Sequence, residues 1–182
     1  MIFKKAFSLI ELLMVLAIIG VLAGSGAWLM SKTIKNSVFI PNQLNMDKLA
    51  NDTLDIMIEG DSQAHGLRFA RVVSSIAANA ISFTNQDGVL ISYSIISNKI
   101  SRNIAGVENA IPGYVSNLTG VTLSGKNGAL FTYYDASNAV TATAAGVRRI
   151  EIKLIAITGT GLYNDWQGSS EKATSITVEK LQ

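Results

Sequence analysis

The chain has 182 residues, of which 15 are basic and 13 acidic, and it contains no cysteine. Without Lys4 and Lys5 the two charge types are equal in number, so no positively charged surface for nucleic acid is predicted. The lack of cysteine excludes disulfides, zinc–thiolate clusters and thiol nucleophiles. The length is sufficient for one membrane anchor and one folded domain.

The N-terminal stretch KKAFSLIELLMVLAIIG joins two lysines to a long apolar run. The 19 residues from Leu12 to Met30 carry no charge. As a helix, such a run spans about 28 Å, close to the thickness of a bilayer hydrocarbon core. Glu11 lies at the start of this run, where an ionised side chain is unfavourable unless it has a partner. A secretory signal cut near Ser25-Gly26-Ala27 and a plain anchor both leave Glu11 unexplained.

A third interpretation comes from family resemblance. A basic leader, a small residue, a phenylalanine-led apolar helix and a glutamate four residues after the phenylalanine resemble the N-terminal signature of type IV pilins and pseudopilins. Here these positions are Lys4-Lys5, Ala6, Phe7 and Glu11. The resemblance implies that a prepilin peptidase cleaves between Ala6 and Phe7 and methylates the new amine of Phe7. It also implies that Glu11 fixes the register of subunits in a filament.

Three further positions bear on this resemblance. Gly20 lies where these helices commonly carry a glycine, and a role in helix flexibility follows from the resemblance. Ala6 stands where glycine is usual before the cleavage point, and Trp28 stands where a kinking proline is frequent. Glycine is also common in membrane helices simply because it permits close packing.

The sequence up to Gly60 is predicted to be mostly helical. One helix is predicted from Phe7 to about Ser37, with an interruption at Pro41, because proline disfavours helix at the preceding residue. A mixed apolar and polar pattern then predicts a second helix that stops at Gly60. The next stretch, LRFARVVSSIAANA, is compatible with helix or strand.

From Ala80 onward, alternation of apolar and polar residues predicts strands. One hairpin is predicted around Asn85-Gln86-Asp87-Gly88 and a second around Asn127-Gly128. The stretch VRRIEIKLIAIT predicts a further strand and TSITVEK a short closing one, with loops at 105–113, 136–146 and 159–170. The predicted fold class is α+β, with a long N-terminal hydrophobic helix packed on an antiparallel β-sheet. This order of elements is similar to that of type IV pilin-like proteins.

Within that family, the β-rich part is most similar in pattern to the minor subunits pseudopilin J and pilin W. The matching positions are Ser101, Arg102, Tyr133, Asp135, Arg148 and Ile150. In the Tyr133-Tyr134 pair, one ring is expected to face the core and the other solvent or a neighbouring subunit. The predicted domains are a leader at 1–6, a transmembrane and polymerisation half-helix at 7–30, and an extracytoplasmic domain at 31–182.

No catalytic residue and no cofactor are predicted. His65 is the only histidine and lies in a polar link. No nucleophile–base order, phosphate loop or metal-ligand spacing is present. Asn164, Asp165 and Glu171 could supply oxygen ligands to calcium, but a solvated loop with Trp166 packed beneath it is favoured, so no metal site is predicted.

The sequence therefore predicts a non-enzymatic structural subunit of a type IV pilus or a type II secretion pseudopilus, a minor pilin or minor pseudopilin. The resemblance implies as partners other pilin or pseudopilin subunits, prepilin peptidase, an inner-membrane assembly platform and membrane lipid. It implies a single-pass position in the cytoplasmic membrane, with the C-terminal domain outside the cytoplasm, and later a place in a filament. The alternative is a secreted or membrane-anchored β-rich binding module that does not polymerise.

Overall fold

A computed structural model describes residues 8–111, 121–158 and 168–178. One α-helix, α1, runs from Leu9 to Ile58. The predicted break at Pro41 is wrong, because α1 continues through this proline. A proline inside a helix removes one backbone donor and strains the preceding turn, but burial of the following turns, from Met46 onward, can outweigh that cost. The chain nevertheless divides into two compact units between Ile40 and Pro41.

The first unit contains the apolar part of α1. Its large apolar side chains are exposed from Leu9 to Met30, and they leave no polar face. By length and composition, α1 is the one helix among the described residues that could cross a membrane. A helix that is apolar on all sides needs an apolar environment, such as lipid or other helices.

The second unit contains two antiparallel sheets. The first sheet has strand order β1-β2-β3-β4-β5; in the second, β6 and β7 pair end to end with one side of β8, and β9 pairs with the other side. The strands of the first sheet are β1 Ala70–Ala77, β2 Ala80–Asn85, β3 Leu90–Ile96, β4 Lys99–Ile104 and β5 Val107–Ala110. Those of the second are β6 Val121–Gly125, β7 Phe131–Tyr134, β8 Arg149–Thr158 and β9 Ser169–Thr177. The long helix with antiparallel sheets confirms the predicted α+β class.

The core lies between the C-terminal turns of α1 and the inner faces of the sheets. Five α1 side chains at helical spacing are buried there: Met46, Leu49, Ala50, Leu54 and Met57. On most strands, alternate residues are buried, as expected for sheets covered on one face; the irregular β1 is an exception. The buried strand residues include Ile81, Phe83, Ile91, Tyr93, Leu123, Ile150, Ile152 and Leu154. The alternation read from the sequence therefore identifies the inner face correctly.

The first predicted hairpin is confirmed, and Asn85 shapes its turn. β2 pairs with β3. The buried Asn85 side chain accepts hydrogen bonds from the N–H groups of Asp87 and Val89, at 3.0 and 2.9 Å. Gly88 has φ +76°, a conformation that side chains rarely adopt. The ambiguous segment at 67–80 forms a short 3₁₀ turn, Leu67–Phe69, and then β1.

The second predicted hairpin is wrong in its pairing. A tight turn does form at Asn127-Gly128, where φ is +54° and +81°, and it is closed by a bridge between Lys126 and Ala129. However, β6 and β7 do not pair with each other; both pair with β8, end to end. With ten residues, β8 is long enough to hold both short strands on one side. Alternation identifies strands, but it does not determine which strands are neighbours.

Two predicted loops also differ from the structure. The 105–113 segment contains a tight turn at Ala105-Gly106 followed by β5. The closing strand begins at Ser169, earlier than predicted, because a β8 of ten residues offers a long partner. By contrast, 136–146 has only a 3₁₀ turn, Ala144–Gly146. Residues 159–167 lie outside the described residues.

A buried ion pair fastens the end of α1 to the first sheet. Arg102 on β4 is fully buried, and its Nη2 lies 3.1 Å from Oδ2 of Asp61, just beyond α1. The same Nη2 donates to Oε1 of Gln63 at 2.8 Å. Asp61 Oδ1 also accepts from the Gln63 N–H at 2.9 Å. Burial opposes ionisation of Asp61, but the bonds from Arg102 and the Gln63 N–H outweigh it, so its pKa lies below the usual value.

We expect Asp61→Asn to lower the free energy of unfolding by about 3–5 kcal/mol at pH 7, because Arg102 is left buried without its anion. The lowered pKa of Asp61 means that the pair stabilises the fold above the ordinary value of 3.8. That contribution is lost as pH falls through the folded pKa. Circular dichroism during denaturant unfolding, at pH 7 and pH 3, measures both effects. A parent–variant difference that persisted undiminished at pH 3 would contradict the assignment.

Candidate assembly site at the start of the helix

Two of the predicted site residues, Glu11 and Gly20, lie in the N-terminal part of α1. Ala6 and Phe7 lie outside the described residues, so cleavage and methylation there stay predictions. Glu11 lies in the first turn of α1 and is exposed. Gly20 lies two and a half turns further along.

Ser8 and Glu11 bond to each other reciprocally. The Ser8 N–H donates to Oε2 of Glu11 at 2.9 Å, and the Glu11 N–H donates to Oγ of Ser8 at 3.3 Å. With α1 starting at Leu9, Ser8 is the N-cap and Glu11 the third helical residue. This arrangement is a capping box, which satisfies two of the backbone donors that a helix start leaves without partners.

The capping box explains the presence of a glutamate at position 11 through contacts within its own chain. Its carboxylate lies at the N-terminal end of α1, where the helix dipole favours negative charge. In an apolar environment no water is available to the first N–H groups, so side-chain acceptors matter more than at a solvated helix start. The box uses only Oε2; no hydrogen bond in the described part of the chain engages Oε1. A carboxylate has lone pairs for several donors, so the capping bond does not use its whole hydrogen-bonding capacity.

The sequence analysis missed Ser8, although the signal was present. Ser8-Leu9-Ile10-Glu11 has the serine-x-x-glutamate spacing of a capping box before an apolar run. The prediction treated Glu11 as an unpaired charge and did not include its hydrogen bonds with Ser8. The box does not exclude a role between subunits, because the carboxylate has capacity for more than one donor.

The glycines of α1 occupy open positions. A Cβ built on Gly20, Gly24 or Gly26 meets nothing within 4 Å outside the helix itself, and none of the three has positive φ. Nothing within the described residues therefore requires glycine at these positions. Their use for close packing with another helix, or for helix flexibility, stays a prediction.

Polar side chains near the apolar run bond back to their own helix. Ser25 Oγ donates to the Leu22 carbonyl and Thr33 Oγ1 to the Leu29 carbonyl, both at 3.0 Å. The Lys32 ammonium lies 5.7 Å from the centre of the Trp28 ring, within cation–π range. Hydroxyls that bond back to the helix are compatible with an apolar environment.

In the second unit, the pairing of β7 with β8 determines where Tyr133 and Tyr134 point. Tyr133 is buried, and its hydroxyl donates to the Ala77 and Ala80 carbonyls at 2.9 and 2.8 Å. Tyr134 faces outward, with the Arg149 guanidinium 3.9 Å from its ring centre. The two rings therefore face opposite sides, as the sequence predicted.

The remaining candidates for chemistry are dispersed. His65 Nδ1 lies 2.6 Å from Asp87 Oδ2 on an exposed turn. Asn164 and Asp165 of the considered calcium loop lie outside the described residues, whereas Glu171 on β9 pairs with Lys126 at 2.6 Å. Among the residues that the structure describes, no group of three or more histidine, aspartate or glutamate side chains could hold a metal ion.

Residues 1–27 match the family model of the prokaryotic N-terminal methylation motif. The chain thus carries the class III prepilin signal of type IV pilins and pseudopilins. Its long N-terminal helix and antiparallel sheets are consistent with a type IV pilin-like fold. No curated protein and no solved structure gave a match. The likeness to pseudopilin J and pilin W stays a prediction.

We expect Ser8→Ala to loosen the first turn of α1, because the Glu11 N–H loses its acceptor. N-cap replacement by alanine typically costs about 1 kcal/mol. That corresponds to about fivefold faster amide exchange at Glu11. Hydrogen exchange followed by NMR on the full chain in detergent micelles measures it. Ser8→Thr is the matched control, since threonine retains the hydroxyl; equal exchange in the alanine and threonine variants would contradict the capping role.

Proposed function

We propose that this protein is a non-enzymatic structural subunit of a type IV pilus or a type II secretion pseudopilus, a minor pilin or minor pseudopilin. The methylation motif at residues 1–27 is the observation that carries the proposal. In this proposal, residues 1–6 are a leader, 7–30 form the membrane and polymerisation half of the helix, and 31–182 form a domain outside the cytoplasm. The membrane-competent apolar helix supports this division.

The proposed life cycle follows from the resemblance to type IV pilins and pseudopilins, which the methylation motif supports. Prepilin peptidase cleaves between Ala6 and Phe7 and methylates the Phe7 amine. The apolar helix keeps the subunit in the cytoplasmic membrane until an inner-membrane assembly platform moves it from lipid into a filament of related subunits. The exposed apolar surface of α1 is equally suited to lipid tails and to neighbouring apolar helices.

Glu11 is proposed to set the axial position of each subunit. The free amine of a processed chain has a reference pKa of about 7.7–8.0, so it is largely cationic near neutral pH. Opposite charges about 4 Å apart attract by about 4 kcal/mol at an effective dielectric of 20, before desolvation is subtracted. A subunit placed one turn out of register would leave both charges unpaired among apolar helices. Because a carboxylate can accept several bonds, Glu11 could accept the amine while Oε2 caps its own helix.

Mass spectrometry of the mature N-terminus tests the proposal. We expect a chain that begins at N-methylated Phe7. Ala6→Gly should be processed at least as well as the parent, whereas Ala6→Leu should block processing, because a bulky side chain does not fit a site for a small residue.

The mass of the N-terminus also separates the alternatives. Cleavage near Ala27 would support a secreted β-rich module, and an intact leader would support a plain anchor. Normal maturation of the Ala6→Leu variant would remove the case for prepilin peptidase.

We expect Glu11→Ala and Glu11→Gln to retain membrane insertion and Ala6–Phe7 cleavage, but to reduce incorporation into filaments several-fold. Immunoblots of membrane and sheared-filament fractions measure both steps. Glutamine can still accept the Ser8 N–H in the capping box but carries no charge. If Glu11→Gln assembled like the parent and only Glu11→Ala failed, capping would explain the residue and the register role would be wrong.

A further inference from the structure

The outer edge of β9 differs from the other edges of the two sheets. An exposed strand edge presents unpaired N–H and C=O groups, and folded proteins usually shorten, distort or cover it. In the first sheet, β5 has only four residues, and β1 carries two register irregularities along its pairing with β2. β9 has nine residues in unbroken register with β8. It contains neither a proline nor a register shift.

The opposite edge of the second sheet is covered by turns. Leu123 N–H of β6 donates to the Asn98 carbonyl at 2.8 Å. Phe131 N–H of β7 donates to the Ala78 carbonyl at 2.9 Å, and the Tyr133 carbonyl accepts from the Thr141 N–H at 2.9 Å. Leu123, Phe131 and Tyr133 each use one of their outward backbone groups in these bonds. Other segments of the chain therefore lie along this edge, whereas along β9 beyond Ser169 no such bond is seen among the described residues.

The direction of the β9 backbone groups follows from one contact. The Gln43 side-chain amide of α1 donates to the Ser169 carbonyl and accepts from the Ser169 N–H, so both groups of Ser169 point away from β8. In an antiparallel strand every second residue points the same way. Glu171, Ala173, Ser175 and Thr177 therefore also direct their backbone groups outward, and all four are exposed. No hydrogen bond within the described residues uses these outward groups.

We propose that the β9 edge from Glu171 to Thr177 pairs with an extended segment of a neighbouring subunit in the same assembly. The Gln43 amide seated on Ser169 shows that this edge accepts amide donors and acceptors in strand geometry. Residues 171–177 offer the same pattern to a peptide backbone, the mode of recognition called β-augmentation.

The edge is short, so pairing there is too weak to recruit a free partner. It therefore favours a subunit that another contact already holds nearby. A pairing of about four to seven residues buries far less than the 1,200–2,000 Å² typical of stable complexes, on the order of a few hundred Å². Such a contact becomes significant when another contact raises the effective concentration of the partner. Association of apolar helices supplies that contact in the proposed filament, and on this point the inference rests on the proposed function.

Proline at Ala173 gives a selective test. The Ala173 N–H points away from β8, so Ala173→Pro removes an outward donor without removing a β8–β9 hydrogen bond. Ala173→Val retains the N–H and is the matched control. In the full chain we expect Ala173→Pro to keep the melting temperature within a few degrees of the parent and to retain Phe7 processing. Its incorporation into filaments should fall several-fold, while Ala173→Val should behave like the parent.

A second measurement does not depend on how the proline variant folds. Hydrogen exchange of the parent chain should show the Ala173, Ser175 and Thr177 amides exchanging on the order of tenfold more slowly in filaments than in detergent micelles. Equal exchange in the two states, or a folded Ala173→Pro variant that assembles normally, would overturn the inference. Protection that rises with concentration in micelles would assign the edge to a second copy in solution and overturn it as well. A missing Phe7 N-terminus would count against the proposed function instead.

Discussion

The first turn of α1 leaves backbone N–H groups without intrahelical acceptors, and the cost of leaving them unpaired rises wherever water is excluded. Ser8 and Glu11 meet this requirement through two reciprocal hydrogen bonds. The same constraint explains how a carboxylate is tolerated beside an uncharged run: it lies at the positive end of the helix dipole. The proposed membrane position, cleavage point and assembly all depend on where this helix starts. A residue that caps the helix with one oxygen can contact a neighbour with the other.

Beyond Pro41 a different constraint applies, because the helix now buries one face against sheets. Met46 and Met57 are almost wholly enclosed, and the loop after α1 is fixed by the buried Arg102. A buried ion pair contributes little net stability, but it strongly disfavours arrangements in which either charge is unpaired. Arg102 therefore determines where the end of α1 meets the first sheet.

The arrangement of strand edges bears on the proposed assembly. The carbonyls of Asn98 and Ala78, in turns of the first sheet, accept from N–H groups of β6 and β7, so hydrogen bonds join the two sheets. On the other side, Gln43 bonds to the start of β9, and none of the described residues bonds to the outward backbone groups beyond it. Polymers built from one face of a helix gain specificity when a second, weaker contact is added elsewhere on the subunit. An open strand edge is suited to that task because its hydrogen bonds are directional.

The sequence by itself determined the elements whose signals are local. The apolar run, the methylation motif, the Asn85 hairpin and the inward face of the alternating strands follow from composition, spacing and period, which depend on near neighbours in the chain. Tertiary structure decided what depends on distant residues. It carries α1 through Pro41, places β8 between β9 and the pair β6 and β7, and buries Arg102 beside Asp61. Packing and partner choice outweigh local preference there, because each is set by residues far away in sequence.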